Sequence, residues 1–256
     1  MMKQYFPNLQ LIENKENSGF PKGNNIGVAA AKGEYILLLN SDTVVLDRAV
    51  DRLMTFAHAT PQAGIWGGRT VFGDGRLNIG SAWGRQTVWS AFCFASGLSL
   101  LFSRLTLFDP EAMRGWDRGS EREVDIVSGC FLLIDRPLWD DLGGFDQAFF
   151  MYAEEADLCL RARARGARPR VSPAATIVHY GGASATSNTQ AVRRVIRAKV
   201  ALARKHNCLT CHGIDTKRLS EVAAMAIKDP SAGGNPIQFT EKQYKALARK
   251  CVTGDL

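Results

Sequence analysis

The sequence predicts an α/β fold whose mixed, mainly parallel sheet is flanked by helices. Short apolar runs of strand length recur along the chain, and segments with helical spacing of apolar residues lie between them. The 256 residues, 46% hydrophobic and 22% charged, suffice for one packed domain and a small appendage. We place the domain at residues 1–205 and a small helical tail at 206–256, where the composition changes.

The first half of the chain alternates between predicted strands and helices. Glu34–Leu39 is an apolar run short enough for a buried parallel strand, and Asp47 is a candidate N-cap for the helix that follows it. The predicted elements are a strand at Leu9–Ile12, a polar segment at Asn14–Asn25, a helical stretch at Ile26–Ala31, the strand Glu34–Leu39, a helix from Asp47 through Ala59, and a strand at Ile65-Trp66.

The second half continues the same alternation. Glycines set the ends of two of its helices, because glycine readily adopts the left-handed conformation of a helix C-terminus. The predicted elements are a strand at Asp125–Ile134, a helix at Pro137–Leu142 stopped by Gly143-Gly144, a helix at Tyr152–Arg165 ended by Gly166, a strand at Thr176–Tyr180, and a basic helix at Thr189–Lys205.

Between the two halves lies an uncharged segment, Gln86–Ser103, that is rich in large apolar residues and is followed by Arg104. Its serines, threonines and Gly97 argue against a transmembrane helix. Two interpretations stand: the segment lies against a membrane surface or an apolar acceptor, or it packs into the core. We favour core burial.

Charge and cysteine content narrow the partners and the compartment. The formal net charge of +7 favours anionic partners such as nucleotides or phospholipid head groups. Basic and aromatic residues do not interleave as they do on nucleic-acid platforms, so we expect no nucleic-acid partner. Met1–Leu11 lacks the apolar run of a signal peptide, which predicts a cytoplasmic protein. Of six cysteines only Cys208 and Cys211 are close in sequence, so no disulfide framework is indicated.

Acidic and imidazole side chains at the ends of predicted elements are candidate site residues. Asp42 follows an apolar strand directly, where α/β sheets bind ligands, and could hold Mg²⁺ or Mn²⁺; it could equally form a turn or cap a helix. His179 ends a strand and could complete such a metal site. Glu154, Glu155 and Asp157 begin a helix, as general bases or as ordinary first-turn acids, with Asp157 placed to pair with Arg161.

An ordered series of motifs resembles the inverting family 2 glycosyltransferases, particularly their rhamnosyltransferase-like branch. The resemblance covers about residues 5–205, and the whole series is far more specific than any one motif. The motifs are Asn17-Ser18-Gly19-Phe20, Asn24-Asn25-Ile26-Gly27, Gly33-Glu34-Tyr35, Leu37-Leu38-Leu39-Asn40-Ser41-Asp42-Thr43, Val127-Ser128-Gly129-Cys130-Phe131, Gly143-Gly144-Phe145-Asp146, Phe149-Phe150-Met151-Tyr152, Glu154-Glu155-Ala156-Asp157-Leu158-Cys159-Leu160-Arg161 and His179-Tyr180-Gly181-Gly182.

The resemblance implies a GT-A-like nucleotide-sugar-binding fold, with Asp42 in the metal-binding motif and His179 as a further ligand of Mg²⁺ or Mn²⁺. Glu155 falls where the family places its catalytic acid, although the choice between Glu154 and Glu155 stays open. The acceptor implied is a glycan or lipid-linked saccharide, which suits a peripheral enzyme at the inner membrane face. The residues expected near donor or acceptor are Asn17, Gly19, Phe20, Asn24, Asn25, Asn40, Gly129, Asp146, Tyr152 and Asp157.

The chain departs from the family pattern at both ends. Family members begin with a strand–helix–strand unit that this chain lacks, so we expect an N-terminally truncated transferase that binds its donor poorly or not at all and could be inactive in this form. The tail carries Cys208, Cys211 and His212 in a Cys-x-x-Cys-His pattern, which attaches haem c, and the tail resembles a fragment of a small bacterial cytochrome c. A haem-binding electron-transfer protein is therefore the alternative function. We favour the transferase, because its motifs span most of the chain.

Overall fold

The computed structural model describes residues 2–180 together with 198, 201–202, 205–206 and 246. The chain forms two compact units, Met1–Ala198 and Lys199–Leu256, and the fold given below is that of the first. The predicted basic helix Thr189–Lys205 and the tail residues Cys208, Cys211 and His212 lie mostly or wholly outside the described residues. They stay sequence-based predictions.

Helices and strands alternate through the first unit. In chain order the helices are α1 (Met2–Tyr5), α2 (Gly19–Ala30), α3 (Ala49–Ala59), α4 (Val88–Ala95), α5 (Leu98–Leu101), α6 (Arg136–Leu142) and α7 (Glu154–Ala164). The strands are β1 (Tyr35–Leu39), β2 (Thr43–Val45), β3 (Ile65–Val71), β4 (Leu77–Asn78), β5 (Ala82–Trp83), β6 (Arg122–Glu123), β7 (Ile126–Val127), β8 (Phe131–Asp135) and β9 (Arg170–His179).

The main sheet is mixed, as the sequence predicts, but it is not mainly parallel. Within the described residues its strands run in the order β1-β8-β3-β9-β2, with β4 beside β3 and β6 beside β9. Only the β3–β9 pairing is parallel, and the others are antiparallel. The prediction of a mainly parallel sheet failed because an alternation of strands and helices makes strands parallel only where a helical crossover joins two neighbouring strands. Here β3 and β8 are neighbours joined by some sixty residues that contain only short strands and short helices.

One side of the sheet is sealed by α3, which forms the centre of the core. Leu53, Phe56 and Ala57 share the buried face of this helix, because residues three to four apart lie on one side of a helix. They pack on Trp66 of β3 and Ile177 of β9. This core fixes β9 and β3 side by side, and the carboxyl end of β9 carries His179, which is discussed below.

Several element boundaries correct the sequence-based predictions. The predicted strand at Leu9–Ile12 is irregular and exposed, because no described strand lies beside it to pair with its backbone groups. Helix α2 begins at Gly19 rather than near Ile26. Asp47 does not cap α3: it lies one residue before the N-cap residue Arg48, and both have positive φ. The predicted strand Asp125–Ile134 is broken into β7 and β8 at Gly129.

Other predictions are confirmed. Strands β1, β3 and β9 include the predicted runs, and α6 ends at Gly143 with φ 71°. Cys93, Cys130 and Cys159 are buried free thiols, as expected of small apolar residues.

The segment after β5 is not buried in the core, so that prediction was wrong. Helices α4 and α5 bury Ser90, Cys93 and Ser99 and expose five large apolar side chains, those of Trp89, Phe92, Phe94, Leu100 and Leu101. The sequence could not reveal this orientation, because an apolar run without polar alternation gives no preferred face. Within the described part of the chain, no helix combines the length and hydropathy needed to cross a membrane.

Candidate active site

A cavity of about 730 Å³ opens where β1 and β9 end and where β8 and α7 begin. Its volume falls in the range of small-molecule sites. The lining residues come from six separate stretches of the chain, so only folding brings them together. They are Phe20, Asn24, Leu39, Asn40, Ser41, Asp42, Gly80, Trp83, Ser128, Gly129, Cys130, Met151, Tyr152, Glu154, Glu155 and His179.

Antiparallel pairing of β2 with β9 places Asp42 beside His179. Thr43 lies opposite His179 in this register, and the Tyr180 backbone N–H donates to the Asp42 carbonyl at 3.0 Å. The His179 Nε2 atom is then 3.4 Å from Asp42 Oδ1 and 3.4 Å from Asn40 Nδ2. A carboxylate and an imidazole that are far apart in the sequence therefore share one edge of the cavity.

The loop that carries Asp42 is held by local hydrogen bonds. The Thr43 hydroxyl donates to the Asn40 carbonyl at 2.6 Å, and the Asn40 N–H donates to the Cys130 carbonyl at 3.1 Å. These contacts fix the turn between β1 and β2. Asp42 thus lies in a turn and is also a candidate metal ligand, two interpretations that the sequence left as alternatives.

Asp42 and His179 have the donor types that suit Mn²⁺ or Mg²⁺. Among the described residues no group of three His, Cys, Asp or Glu side chains could enclose a metal ion. Two protein ligands fit a metal whose other ligands are substrate oxygens, since Mg²⁺ is commonly held by one or two carboxylates together with phosphates. The donor set therefore fits a metal brought in with a diphosphate, and does not form an all-protein metal centre.

Glu154 and Glu155 reach the cavity from the first turn of α7. The two residues before the helix, Tyr152 and Ala153, have φ of 70° and 67°, a left-handed conformation that costs about 1–3 kcal/mol at a non-glycine residue. This turn lets α7 begin at the cavity wall. Glu154 is only 4% exposed and its Oε2 atom has no hydrogen-bond partner, whereas Glu155 is partly exposed.

Burial and mutual repulsion perturb both carboxyl groups. Burial, followed by the charge of Glu155, raises the pKa of Glu154 to about 8. Burial also raises the pKa of Glu155, and the backbone N–H groups of Glu155 and Gly129 partly oppose that rise. Burial and mutual repulsion therefore favour a pair that shares one proton, and its titration belongs to the two carboxyl groups together.

The strand break at Gly129 makes room for this pair. A Cβ atom at position 129 would stand 3.4 Å from the Phe20 ring and 3.7 Å from Glu155 Cβ. A larger side chain would fill the space between α2 and α7. The absence of a side chain here keeps the cavity open beside Glu155.

Five sequence-predicted site residues do not line the cavity. Asp157 is fully buried and forms an ion pair with Arg161 at 2.8 Å, and Asn25 bonds both backbone groups of Phe145. Asp146 accepts from the Ala148 N–H, and Asn17 accepts from the Gly19 N–H. Gly19 packs against the Phe150 carbonyl. These residues hold α2, α7 and the loop between α6 and α7 in position around the cavity.

Sequence reasoning missed two lining residues, Gly80 and Trp83. Gly80 lies in a 3₁₀ helix of three residues and Trp83 in the two-residue strand β5, and both elements are too short to show periodicity in the sequence. Arg118 orders this wall: its buried guanidinium donates to the carbonyls of Ile79 and Ala82 at 3.0 and 3.2 Å. An isolated tryptophan flanked by small residues was the only available signal.

Known proteins match both the fold and the sequence. The model of glycosyl transferase family 2 matches residues 1–138. Rhamnosyltransferase WbbL of Escherichia coli K12 is 30% identical over 171 residues, which are 63% of this chain and 61% of that protein. The N-acetylglucosaminyl-diphospho-decaprenol L-rhamnosyltransferase of Mycobacterium tuberculosis is 25% identical over 205 residues, which are 69% of this chain and 60% of that protein. The chain therefore spans about three fifths of the length of these relatives.

A solved structure gives the class of fold. GalNAc-T7, crystallised with UDP, GalNAc and Mn²⁺, superposes with a TM-score of 0.51 at 13% identity, covering 98% of this chain and 44% of GalNAc-T7. The mixed sheet flanked by helices is thus a GT-A-like α/β fold. The chain belongs to glycosyl transferase family 2, and the family prediction made from the sequence motifs is confirmed.

Proposed function

We propose that this chain transfers a sugar from a nucleotide-diphosphate donor to an acceptor hydroxyl, with inversion at the anomeric carbon. The observation that carries the proposal is the convergence of Asp42 and His179 with Glu154 and Glu155 on one 730 Å³ cavity. Such a reaction needs a group that stabilises the negative charge of the leaving diphosphate, and a base that accepts the proton of the attacking hydroxyl. Asp42 and His179 would meet the first requirement by holding a metal ion, and the Glu154–Glu155 pair would supply the base.

The donor diphosphate would bind at the Asp42–His179 edge. Asp42 and His179 would hold Mn²⁺ or Mg²⁺, which when bound supplies positive charge against the diphosphate. The Asn40 amide lies 3.4 Å from the same His179 Nε2 atom and would give up this contact when Nε2 binds the metal. That GalNAc-T7 was crystallised with UDP and Mn²⁺ agrees with this chemistry in a protein of the same fold.

Glu155 would act as the general base. Its carboxylate takes the proton of the acceptor hydroxyl while that oxygen bonds to the anomeric carbon and the bond from this carbon to the diphosphate breaks. Glu154 would stay protonated at neutral pH, because its pKa is raised to about 8. A neutral Glu154 leaves the negative charge on Glu155, the more exposed partner. Its raised pKa also makes Glu155 a stronger proton acceptor.

Rhamnose and a lipid-linked acceptor are the best-supported substrates. Both curated relatives are named as rhamnosyltransferases, and the mycobacterial one acts on a decaprenol-linked saccharide by its name. We therefore propose rhamnosyl transfer to a polyprenyl-diphosphate saccharide, a step of cell-surface polysaccharide synthesis. The haem-binding alternative rests on residues outside the described part of the chain.

The test compares two amide variants of the glutamate pair. The wild-type chain is incubated with Mn²⁺, a panel of nucleotide-diphosphate sugars and a polyprenyl-diphosphate N-acetylglucosamine acceptor, and the release of nucleoside diphosphate is measured. E155Q should lose about 10²–10⁴-fold in rate, the usual contribution of a general base. E154Q should retain most of the rate, because glutamine resembles the protonated acid. E34Q, an exposed control outside the cavity, should match the wild type.

Two outcomes would contradict the proposal. One is the absence of acceptor-dependent release with every donor in the wild-type chain. The other is loss of activity in E154Q with full activity in E155Q, which would exchange the roles of the two carboxyl groups.

A further inference from the structure

We infer that helices α4 and α5, with the turn that follows them, form a docking surface for an anionic lipid bilayer. The surface consists of eight exposed side chains, which we call the apolar face: Trp89, Phe92, Phe94, Leu100, Leu101, Phe102, Leu105 and Leu107. The inference extends the proposed function, on which it depends for the lipid-linked nature of the acceptor.

The orientation of this segment is the reverse of that in an ordinary core element. Phe94 and Leu101 are 72% and 78% exposed, while Ser90, Cys93 and Ser99 point inward and are buried. Four of the eight side chains are aromatic and four are leucine, and each is about half exposed or more. An aromatic side chain has roughly 150–250 Å² of surface, so together the eight expose on the order of several hundred Å² of apolar surface. Patches of this size mark an interaction site on a soluble protein.

Internal contacts hold the apolar face together. Trp89 stacks on Phe92 with ring centroids 5.6 Å apart, and Phe102 contacts Phe108 at 5.0 Å. The Trp89 indole N–H donates to the Leu107 carbonyl at 2.6 Å. The helical pair is therefore bonded to the following turn, and its exposed rings belong to an ordered structure.

The charges around the apolar face select the partner. Arg104 is the only charged residue between Gln86 and Phe108, and it is exposed. Two further exposed arginines flank the segment, Arg85 before it and Arg114 after it. The nearest acid along the chain, Asp109, is buried against Arg114 at 2.9 Å. Exposed tryptophan, phenylalanine and leucine bordered by arginine suit an anionic phospholipid surface.

The apolar face is connected to the cavity wall. The segment leaves the wall just after Trp83, which lines the cavity. It returns where the Gly84 N–H donates to the Glu111 carbonyl at 2.8 Å. A bilayer held by the apolar face would consequently lie beside the cavity, where the saccharide of a membrane-anchored acceptor would enter.

Vesicle co-sedimentation of the full chain tests the inference. Vesicles of phosphatidylcholine alone are compared with vesicles that also contain phosphatidylglycerol. The wild-type chain should sediment with the anionic vesicles and less with the neutral ones. The double variant F94S/L101S should bind at least about tenfold more weakly, since two apolar anchors are lost. R104Q should weaken binding to anionic vesicles by about fivefold and leave the neutral ones unaffected.

The matched control is Y5S/L9S, which removes two apolar side chains that are 67% and 61% exposed but lie outside the apolar face. It should bind vesicles like the wild type. Equal binding by F94S/L101S and the wild type would overturn the inference, as would absence of binding to both vesicle types. A third outcome would also overturn the inference: the wild-type chain self-associates but does not bind vesicles, and F94S/L101S abolishes the self-association. The apolar face would then bind a second copy of the chain.

The same preparations separate this inference from the proposed function. E155Q should bind vesicles like the wild type, since Glu155 lies in the cavity and not on the apolar face. Vesicle binding without sugar transfer would refute the proposed function alone. Transfer to a soluble acceptor without vesicle binding would refute the docking surface alone.

Discussion

Replacing Glu154 with glutamine should remove a specific part of the pH dependence of stability. The pKa of Glu154 is raised from 4.5 to about 8, so the folded state binds this proton more tightly than the unfolded state does. The resulting stabilisation is complete below the unfolded value and is lost as the pH rises through the folded value. Glutamine carries no such proton, so E154Q should retain only the smaller loss that Glu155 contributes.

The magnitude follows from the two pKa values. A rise from 4.5 to about 8 corresponds to about 4 kcal/mol of unfolding free energy lost over this range. Between about pH 5 and about pH 9, the wild-type chain should therefore lose about 4 kcal/mol relative to E154Q. The buried Oε2 atom without a partner agrees with a carboxyl group that folds protonated.

Urea denaturation at both pH values measures the difference directly. The exposed variant E34Q serves as the control and should follow the wild-type pH dependence. If E154Q and the wild type lose equal free energy over this range, Glu154 does not hold its proton more tightly in the folded state. The assignment of Glu155 as the base would then lose its main support.

Three further predictions concern other parts of the fold. The variant R118M should lose at least about 3 kcal/mol of unfolding free energy, measured by urea denaturation. The fully buried guanidinium donates to five backbone carbonyls, and these would lose their partner. A loss below about 1 kcal/mol would contradict this reasoning. The variant G19A should lower the melting temperature, since Gly19 has φ +81° and a Cβ atom there would clash with the Phe150 carbonyl. G27A should raise the melting temperature, because a Cβ atom at this helical position would meet nothing outside its own helix within 4 Å. Equal shifts of the two variants would refute the reasoning. D42N should abolish any enhancement of donor binding by Mn²⁺ in calorimetry without changing the melting temperature by more than a few degrees; unchanged enhancement would show that Asp42 is not a ligand.

Some residues of the candidate site can be predicted from the local sequence pattern, and others cannot. Asp42 follows an apolar run and Glu155 follows an aromatic loop, so both stand out in sequence. Trp83 and Gly80 line the same cavity from elements of two and three residues, which are too short to show periodicity. Asp157 and Asn25 have the composition of site residues, yet they hold backbone and side-chain groups that position α7 and α2. A polar residue near a site serves binding or support according to where its side chain points, and a sequence pattern does not encode that direction.

The sequence by itself determined the family, the strand and helix character of most elements, and the acids and imidazole available for chemistry. These follow from short-range periodicity, glycine stops and ordered motifs. Only the tertiary structure decided that β2 pairs antiparallel with β9, which brings Asp42 to 3.4 Å from His179, and that α4 and α5 turn their apolar side chains outward. Strand direction and the buried face of an unpatterned apolar helix depend on contacts between residues distant in sequence. Those contacts exist only once the chain has packed.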